Sequence, residues 1–113
     1  QQVIPAAWVR ESTALHVKGP DMQDPKAGIG YSYLWWKPSE GRTGAAWKDA
    51  YLANGNFGQY ILGLPAIDTV IVHRRAVTDQ FAIARNLGKT KASPAGGNTD
   101  FLPLADIIVN GIA

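Results

Sequence analysis

The sequence predicts an α+β fold in which an antiparallel β-meander lies between an N-terminal and a C-terminal helix. Two observations lead to this prediction. Short runs of apolar and β-branched residues follow one another between residues 31 and 74, and both ends of the chain have helical spacing. Because the runs are joined by short connections, consecutive antiparallel strands are favoured over parallel βαβ units. Helices at both ends then complete a two-layer sandwich.

Composition narrows the class of protein. The chain has 113 residues, of which 46% are hydrophobic and 18% charged, so we expect a folded segment of a single domain, 1–113. The net charge is +2, and the charged residues are scattered along the sequence without a basic stripe that would indicate nucleic-acid binding. The absence of Cys excludes disulfides and thiolate chemistry. No apolar run has the ~20 residues of a membrane helix. We expect no cofactor, nucleic-acid or membrane partner, and the cellular compartment stays open.

The N-terminal region predicts a helix whose first turn carries Pro5, with Trp8 and Leu15 on one face at spacing i and i+7. A loop rich in Gly, Pro and Asp follows, from about Lys18 to Gly30. The chain starts with neither Met nor a leader sequence, which suggests a segment of a longer protein.

Four strands are predicted in the middle of the chain, at residues 31–37, 50–53, 59–64 and 69–74. The first, YSYLWWK, carries large apolar groups on both faces, which is typical of a covered central strand. In the third, Tyr60, Leu62 and Leu64 share one face. Pro65 to Asp68 form the turn into the fourth strand, so these two strands form a hairpin.

The C-terminal region has two parts. Residues 76–99 are polar and interrupted by Gly and Pro, which predicts a mobile excursion with one helical candidate at Asp79 to Asn86. The final segment predicts a helix with Asp100 as N-cap and Pro103 in the first turn. Its apolar stripe comprises Phe101, Leu104, Ala105, Ile108 and Ile112.

The segment AYLANGNFGQY contains the most informative local feature. Gly55 and Gly58 bracket Asn56 and Phe57 at a strand end. On spacing alone, a glycine-rich hairpin turn is the simpler interpretation. The alternative is that the glycines let the backbone approach a substrate and present main-chain N–H groups to an oxyanion.

Three motifs and the terminal helix together resemble a known family. The motifs are GIGYSYLWWK, ANGNFGQYILGLPAID and TVIVHRRAVTD. Their order is similar to that in the C-terminal portion of serine β-lactamase-like hydrolases, in the class C type branch that includes family VIII esterases and 6-aminohexanoate-dimer hydrolase. The resemblance spans residues 28–79 and the final helix, and it implies part of a β-lactamase/transpeptidase-like fold.

The resemblance implies roles for residues around the glycine turn. Gly55 matches the Gly of the family's Lys-Thr-Gly or His-Thr-Gly triad, so the main-chain N–H of Asn56 becomes an oxyanion-hole donor. Ala53 and Asn54 stand where that triad has its cation and its Thr, which favours an ester or small amide substrate over a β-lactam. Gln59 matches the Gln of a GxxGQ motif. The substrate-binding candidates are Asn54, Phe57, Gln59 and Trp36.

The family's nucleophile is absent from this chain. No Lys has a Ser three residues before it, and no Tyr has an Asn two residues after it. The resemblance therefore implies that the N-terminal remainder of a parent hydrolase supplies the catalytic Ser, Lys and Tyr. We expect this chain alone to be inactive. Without that remainder, an exposed strand edge would favour dimerisation.

Two alternatives stay open at this point. The chain could be a non-catalytic β-lactamase-like module that binds a peptide or a cell-wall fragment. It could also be an unrelated β-meander that binds sugar through its aromatic strand. Neither His16 nor His73 has an acidic partner at ligand spacing, so we do not expect a metal site or a general base there. His73 is expected in a surface cluster with Arg74.

Overall fold

The computed structural model describes residues 2–21, 29–55, 58–74 and 98–112. Five strands form one sheet in the order β1-β2-β3-β4-β5. The elements are α1 (Ala6–Thr13), β1 (Gly30–Tyr31), β2 (Trp36–Lys37), β3 (Tyr51–Gly55), β4 (Gln59–Leu64), β5 (Thr69–His73) and α2 (Asn98–Ile112). The pairs β1–β2 and β2–β3 are antiparallel, and the short connections between the later strands impose the same direction. The predicted α+β class and antiparallel meander are confirmed.

The predicted first strand is wrong, because residues 31–37 form a hairpin. β1 and β2 pair through Gly30 with Lys37 and Tyr31 with Trp36. Between them, the amide of Ser32 donates to the carbonyl oxygen of Trp35 at 2.8 Å. Leu34 takes a left-handed conformation, with φ of 64°, and this reverses the chain. A left-handed Leu is uncommon, so nothing in the apolar run predicted a turn there.

The later strands follow the sequence closely. β4 has the predicted bounds, with Tyr60, Leu62 and Leu64 buried and Ile61 46% exposed. β5 ends at His73, one residue before the predicted end. The turn between them is a 3-10 turn that ends in a left-handed Asp68, with φ of 48°. A strand with one buried face and a turn that begins with Pro carry strong local signals, which explains the agreement.

The chain divides into two compact units. The first comprises Gln1–Ala53 and Leu62–Val70, and the second comprises Asn54–Ile61 and Ile71–Ala113. The buried apolar side chains of the first unit are Ile29, Ala46, Trp47, Ala50, Leu52, Leu62 and Leu64. Those of the second are Tyr60, Phe101, Leu102, Ala105 and Val109.

Both helices differ from their predicted bounds. α1 ends at Thr13, so Leu15 does not belong to it, and Pro5 is its N-cap. α2 begins at Asn98, so Asp100 lies inside the helix rather than at its N-cap. Pro103 is then the sixth helical residue, beyond the first turn where it was predicted.

The buried face of α2 is rotated from the predicted stripe. Phe101 and Ala105 are buried as predicted, but Leu104 and Ile112 are exposed, and Leu102 and Val109 are buried instead. Within the second unit, the ring of Phe101 stacks on Tyr60 with centroids 4.4 Å apart and an interplanar angle of 8°. This contact orients the helix, and helical spacing alone does not reveal it. Most of the predicted excursion, including Asp79 to Asn86, lies outside the described residues.

Candidate functional site

The first candidate site is the glycine turn, which runs from Gly55 to Gly58. The backbone geometry explains why glycine occupies both of these positions. β3 ends at Gly55 and β4 begins at Gln59. A Cβ atom at Gly55 would lie 3.1 Å from both the Cβ and the carbonyl oxygen of Gln59, which is tighter than ordinary packing. Gly58 has φ of 81°, a conformation that residues with side chains rarely adopt. The hairpin interpretation of these glycines is confirmed, and the oxyanion role stays a prediction.

Three of the predicted site residues meet at this hairpin. Asn54 and Gly55 are exposed at the end of β3, and Gln59 is half-buried at the start of β4. Asn56 and Phe57 lie outside the described residues. Trp36 belongs to the first unit, where it is half-buried in β2 with its ring edge-on to Tyr31 at 4.9 Å.

The pairing of β3 leaves its last residues beyond the end of β2. β2 is only two residues long, and Trp36 pairs with Leu52. In the part of the chain that the structure describes, this is the one residue pair between β2 and β3, and β3 continues for three more residues to Gly55. β3 therefore ends at an exposed Gly55, next to the glycine turn.

His73 supports this turn in a way that the sequence did not indicate. It is half-buried, and its Nδ1 lies 2.6 Å from the carbonyl oxygen of Gly58. Because a carbonyl oxygen only accepts, Nδ1 carries the hydrogen, and in the neutral ring Nε2 keeps its lone pair. The rings of Tyr60 and Phe101 flank His73 at 5.9 and 5.8 Å. His73 is thus a turn-bonding residue within the second unit, and fifteen residues separate it from its partner.

A second candidate site is a pocket of about 400 Å³ within the first unit. It lies between α1 and the hairpin formed by β1 and β2, which we call the aromatic hairpin (30–37). The residues that line this pocket are Ile4, Trp8, Val9, Ser12, Thr13, Tyr33, Leu34, Trp35 and Tyr51. The aromatic run was predicted to pack on both faces of a strand, so this pocket was not predicted from the sequence. The pocket depends on the turn at Leu34, which no local pattern indicated.

Direct contacts hold the aromatic hairpin against α1. The Ser32 hydroxyl donates to the carbonyl oxygen of Ser12 at 2.6 Å. Tyr33 stacks on Trp8 at 5.9 Å and on His16 at 4.5 Å, the latter with rings 7° from parallel. On the far side, Trp35 meets Tyr51 edge-on at 5.0 Å. The walls of the pocket are therefore fixed by stacking and hydrogen bonds.

His16 is occupied by the end of α1. Its Nε2 donates to the carbonyl oxygen of Glu11 at 2.9 Å and lies 3.6 Å from the Glu11 carboxylate. In the described ranges, no three His, Cys, Asp or Glu side chains come together as a metal site would require. Among the helices of those same ranges, none has the length and apolar character to cross a membrane.

Lys37 is a buried charged residue that the sequence analysis overlooked. Its side chain is 3% exposed, and Nζ donates to the main-chain oxygen of Asp49 at 3.1 Å. The ammonium also lies 6.0 Å from the ring centroid of Tyr51. Burial lowers the pKa of Lys37 below its ordinary value, and the charge of Asp49 partly opposes that shift. A Lys at a strand end before Pro38 is typically exposed, so no local signal pointed to its burial.

Comparison of the chain with known proteins identified no relative. No protein-family model, no curated protein and no solved structure matches the chain.

Proposed function

We propose that this chain is the C-terminal segment of a serine hydrolase with a β-lactamase/transpeptidase-like fold, acting on an ester or a small amide. In this proposal the glycine turn forms one wall of the substrate pocket. The main-chain N–H of Asn56 is one oxyanion-hole donor, and Asn54, Phe57 and Gln59 contact the substrate.

The observation that supports the proposal is the exposed end of β3. β3 continues past Leu52, its residue paired with β2, and ends at an exposed Gly55, where an added Cβ would lie 3.1 Å from Gln59. An oxyanion hole needs main-chain N–H groups on a rigid element that a substrate can approach closely. A strand end held in a hairpin meets both requirements.

The mechanism is the one that the resemblance to serine β-lactamase-like hydrolases implies. A Ser in the N-terminal remainder, activated by a Lys and a Tyr, attacks the substrate carbonyl carbon. Negative charge develops on the carbonyl oxygen, and the N–H of Asn56 donates a hydrogen bond to it. Collapse of this intermediate expels the alcohol or amine and leaves an acyl-enzyme, which water then hydrolyses.

The sequence encoded upstream of this segment tests the proposal directly. If that upstream sequence contains no Ser-x-x-Lys motif, the proposal is contradicted.

A matched pair of variants in the parent protein tests the role of Asn56. Asn56→Pro removes the N–H, and we expect kcat to fall by about 10² to 10³. Asn56→Ala keeps the N–H and should leave kcat within about threefold of wild type. Circular dichroism and thermal melting check that both variants fold. Equal kcat values for two folded variants would show that this donor is not used.

The isolated chain provides a second test. With no Ser-x-x-Lys motif, the 113 residues should hydrolyse p-nitrophenyl esters no faster than buffer does. A stoichiometric burst of nitrophenol would show a nucleophile within this chain and contradict the assignment as a segment.

A further inference from the structure

We propose that the pocket between α1 and the aromatic hairpin binds a small uncharged aromatic molecule of one or two rings. This inference does not depend on the hydrolase proposal, because every residue that lines the pocket belongs to the first compact unit.

The size of the pocket favours a small molecule over a protein segment. Its volume of about 400 Å³ lies at the lower end of the range for small-molecule sites. An α-helix with its side chains is about 10 Å across and needs a long groove. A half-open pocket of this volume instead suits a molecule of one or two rings.

The chemistry of the lining favours an uncharged aromatic ligand. Two Trp and two Tyr contribute rings, and none of the lining residues is charged. The hydroxyls of Ser12 and Thr13 donate back to the carbonyl oxygen of Val9, at 3.3 and 2.8 Å. The Tyr33 hydroxyl is directed to the Glu11 carboxylate at 3.4 Å. An anion would lose hydration here without gaining a counter-charge from the lining, whereas a flat apolar ring gains contact with other rings.

The backbone of Leu34 is an independent reason to assign a function to this pocket. Leu34 is left-handed, and its side chain is 84% exposed. A residue with a side chain is unfavourable in that conformation, and this one recovers little by burial. Gly or Asn would suit the turn better for folding alone. An exposed apolar side chain on a strained turn that lines a pocket is typical of binding sites.

The test is a titration of the 113-residue chain with 2-naphthol, which is uncharged at neutral pH, monitored by the four Trp indole N–H signals in ¹H–¹⁵N spectra. Trp8 and Trp35 line the pocket, whereas Trp47 lies in the core of the same unit, with the Arg42 guanidinium 4.7 Å from its ring centroid. We expect saturable shifts of the Trp8 and Trp35 signals and an unmoved Trp47 signal. No saturable shift, or equal shifts of all the indole signals, would overturn the proposal.

Three variants sharpen the result. Trp8→Ala removes a wall of the pocket and should weaken binding about tenfold or more. Leu34→Asn keeps a turn-compatible residue while it removes the apolar side chain, and should weaken binding about fivefold. Ile107→Ser changes an apolar residue of the second unit that is 71% exposed, and should leave affinity unchanged. A folded Leu34→Asn chain with unchanged affinity would overturn the proposal.

Competing occupants give distinct outcomes. Naphthalene-2-sulfonate has the same rings with a negative charge and should bind about tenfold more weakly than 2-naphthol. Equal affinity for the two would overturn the uncharged specificity. If the Trp8 and Trp35 signals move with protein concentration alone, a second copy of the chain fills the pocket. If they move with cellobiose but not with 2-naphthol, the ligand is a sugar. Either outcome would overturn the proposal.

Discussion

The aromatic hairpin and the glycine hairpin (51–64) meet the same backbone requirement with different residues. Among the described residues of the two turns, Leu34 is left-handed in the first and Gly58 in the second. Glycine adopts that conformation without strain, whereas Leu incurs about 1–2 kcal/mol. The glycine turn could therefore be predicted from the sequence, whereas the turn at Leu34 was predicted as part of a strand. A turn can be predicted from sequence when its left-handed position carries a residue that favours that conformation.

The glycine hairpin is tightly packed at Gly63, and of the variants described here Gly63→Ala should have the largest effect on stability. A Cβ at Gly63 would overlap the ring of Tyr51, so this ring would have to shift to make room for it. We expect the free energy of unfolding to fall by about 2–3 kcal/mol, measured by urea denaturation. Gly111→Ala is the matched control, because a Cβ there meets nothing within 4 Å. Equal stability of the two variants would contradict the packing described for β4.

Gly58→Ala should have the next largest effect. Its φ of 81° is strained for Ala, so we expect a loss of about 1–2 kcal/mol in unfolding free energy. Gly44→Ala serves as control, because Gly44 has φ of −66° and a Cβ there makes only ordinary contact with Trp47, at 3.4 Å. A Gly58→Ala chain as stable as Gly44→Ala would mean that this turn does not need its glycine.

Leu34→Asn should act in the opposite direction at the equivalent position of the aromatic hairpin. Asn tolerates the left-handed conformation, and little burial is lost because Leu34 is exposed. We expect unfolding free energy to rise by about 0.5–1 kcal/mol, seen as a higher urea midpoint with an unchanged slope. A lower midpoint would show that the Leu34 side chain stabilises the fold.

Lys37, in β2, makes the aromatic hairpin sensitive to pH. Burial lowers its pKa in the folded chain below the ordinary value of 10.5, so the unfolded chain holds the proton more tightly. The destabilising effect of the buried charge is fully present below the lowered pKa and fades as pH rises towards 10.5. Wild-type stability relative to Lys37→Met should therefore rise from neutral pH to about pH 10. A constant difference across that range would contradict a burial effect on this ammonium.

The last and smallest expected difference is in the tautomers of the two histidines, one of which contacts each hairpin. His16 stacks on Tyr33 of the aromatic hairpin and donates through Nε2, whereas His73 donates through Nδ1 to Gly58 of the glycine hairpin. Their neutral forms should therefore be opposite tautomers. Long-range ¹H–¹⁵N spectra at a pH where both rings are neutral distinguish them. A common tautomer would mean that one of the two carbonyl bonds does not form.

Much of the fold could be predicted wherever a local signal agreed with the tertiary structure. One face of β4 is buried along its whole length, Pro65 begins the turn after it, and Gly55 and Gly58 bracket the turn before it. The rest depends on contacts between residues distant in sequence. The face of α2 follows from the stacking of Phe101 on Tyr60, and the role of His73 follows from a bond to Gly58.

Local patterns were enough to predict the α+β class, the bounds of β4 and a hairpin at the glycines, because these depend on the spacing of apolar residues, Pro and Gly over a few positions. No local pattern indicated that the run YSYLWWK folds back on itself, that Lys37 is buried, or that aromatic side chains line a pocket beside α1. The physical reason is that an apolar ring stabilises a strand core and a pocket wall by the same loss of water contact. What distinguishes the two is the path of the backbone, which at Leu34 runs against local preference.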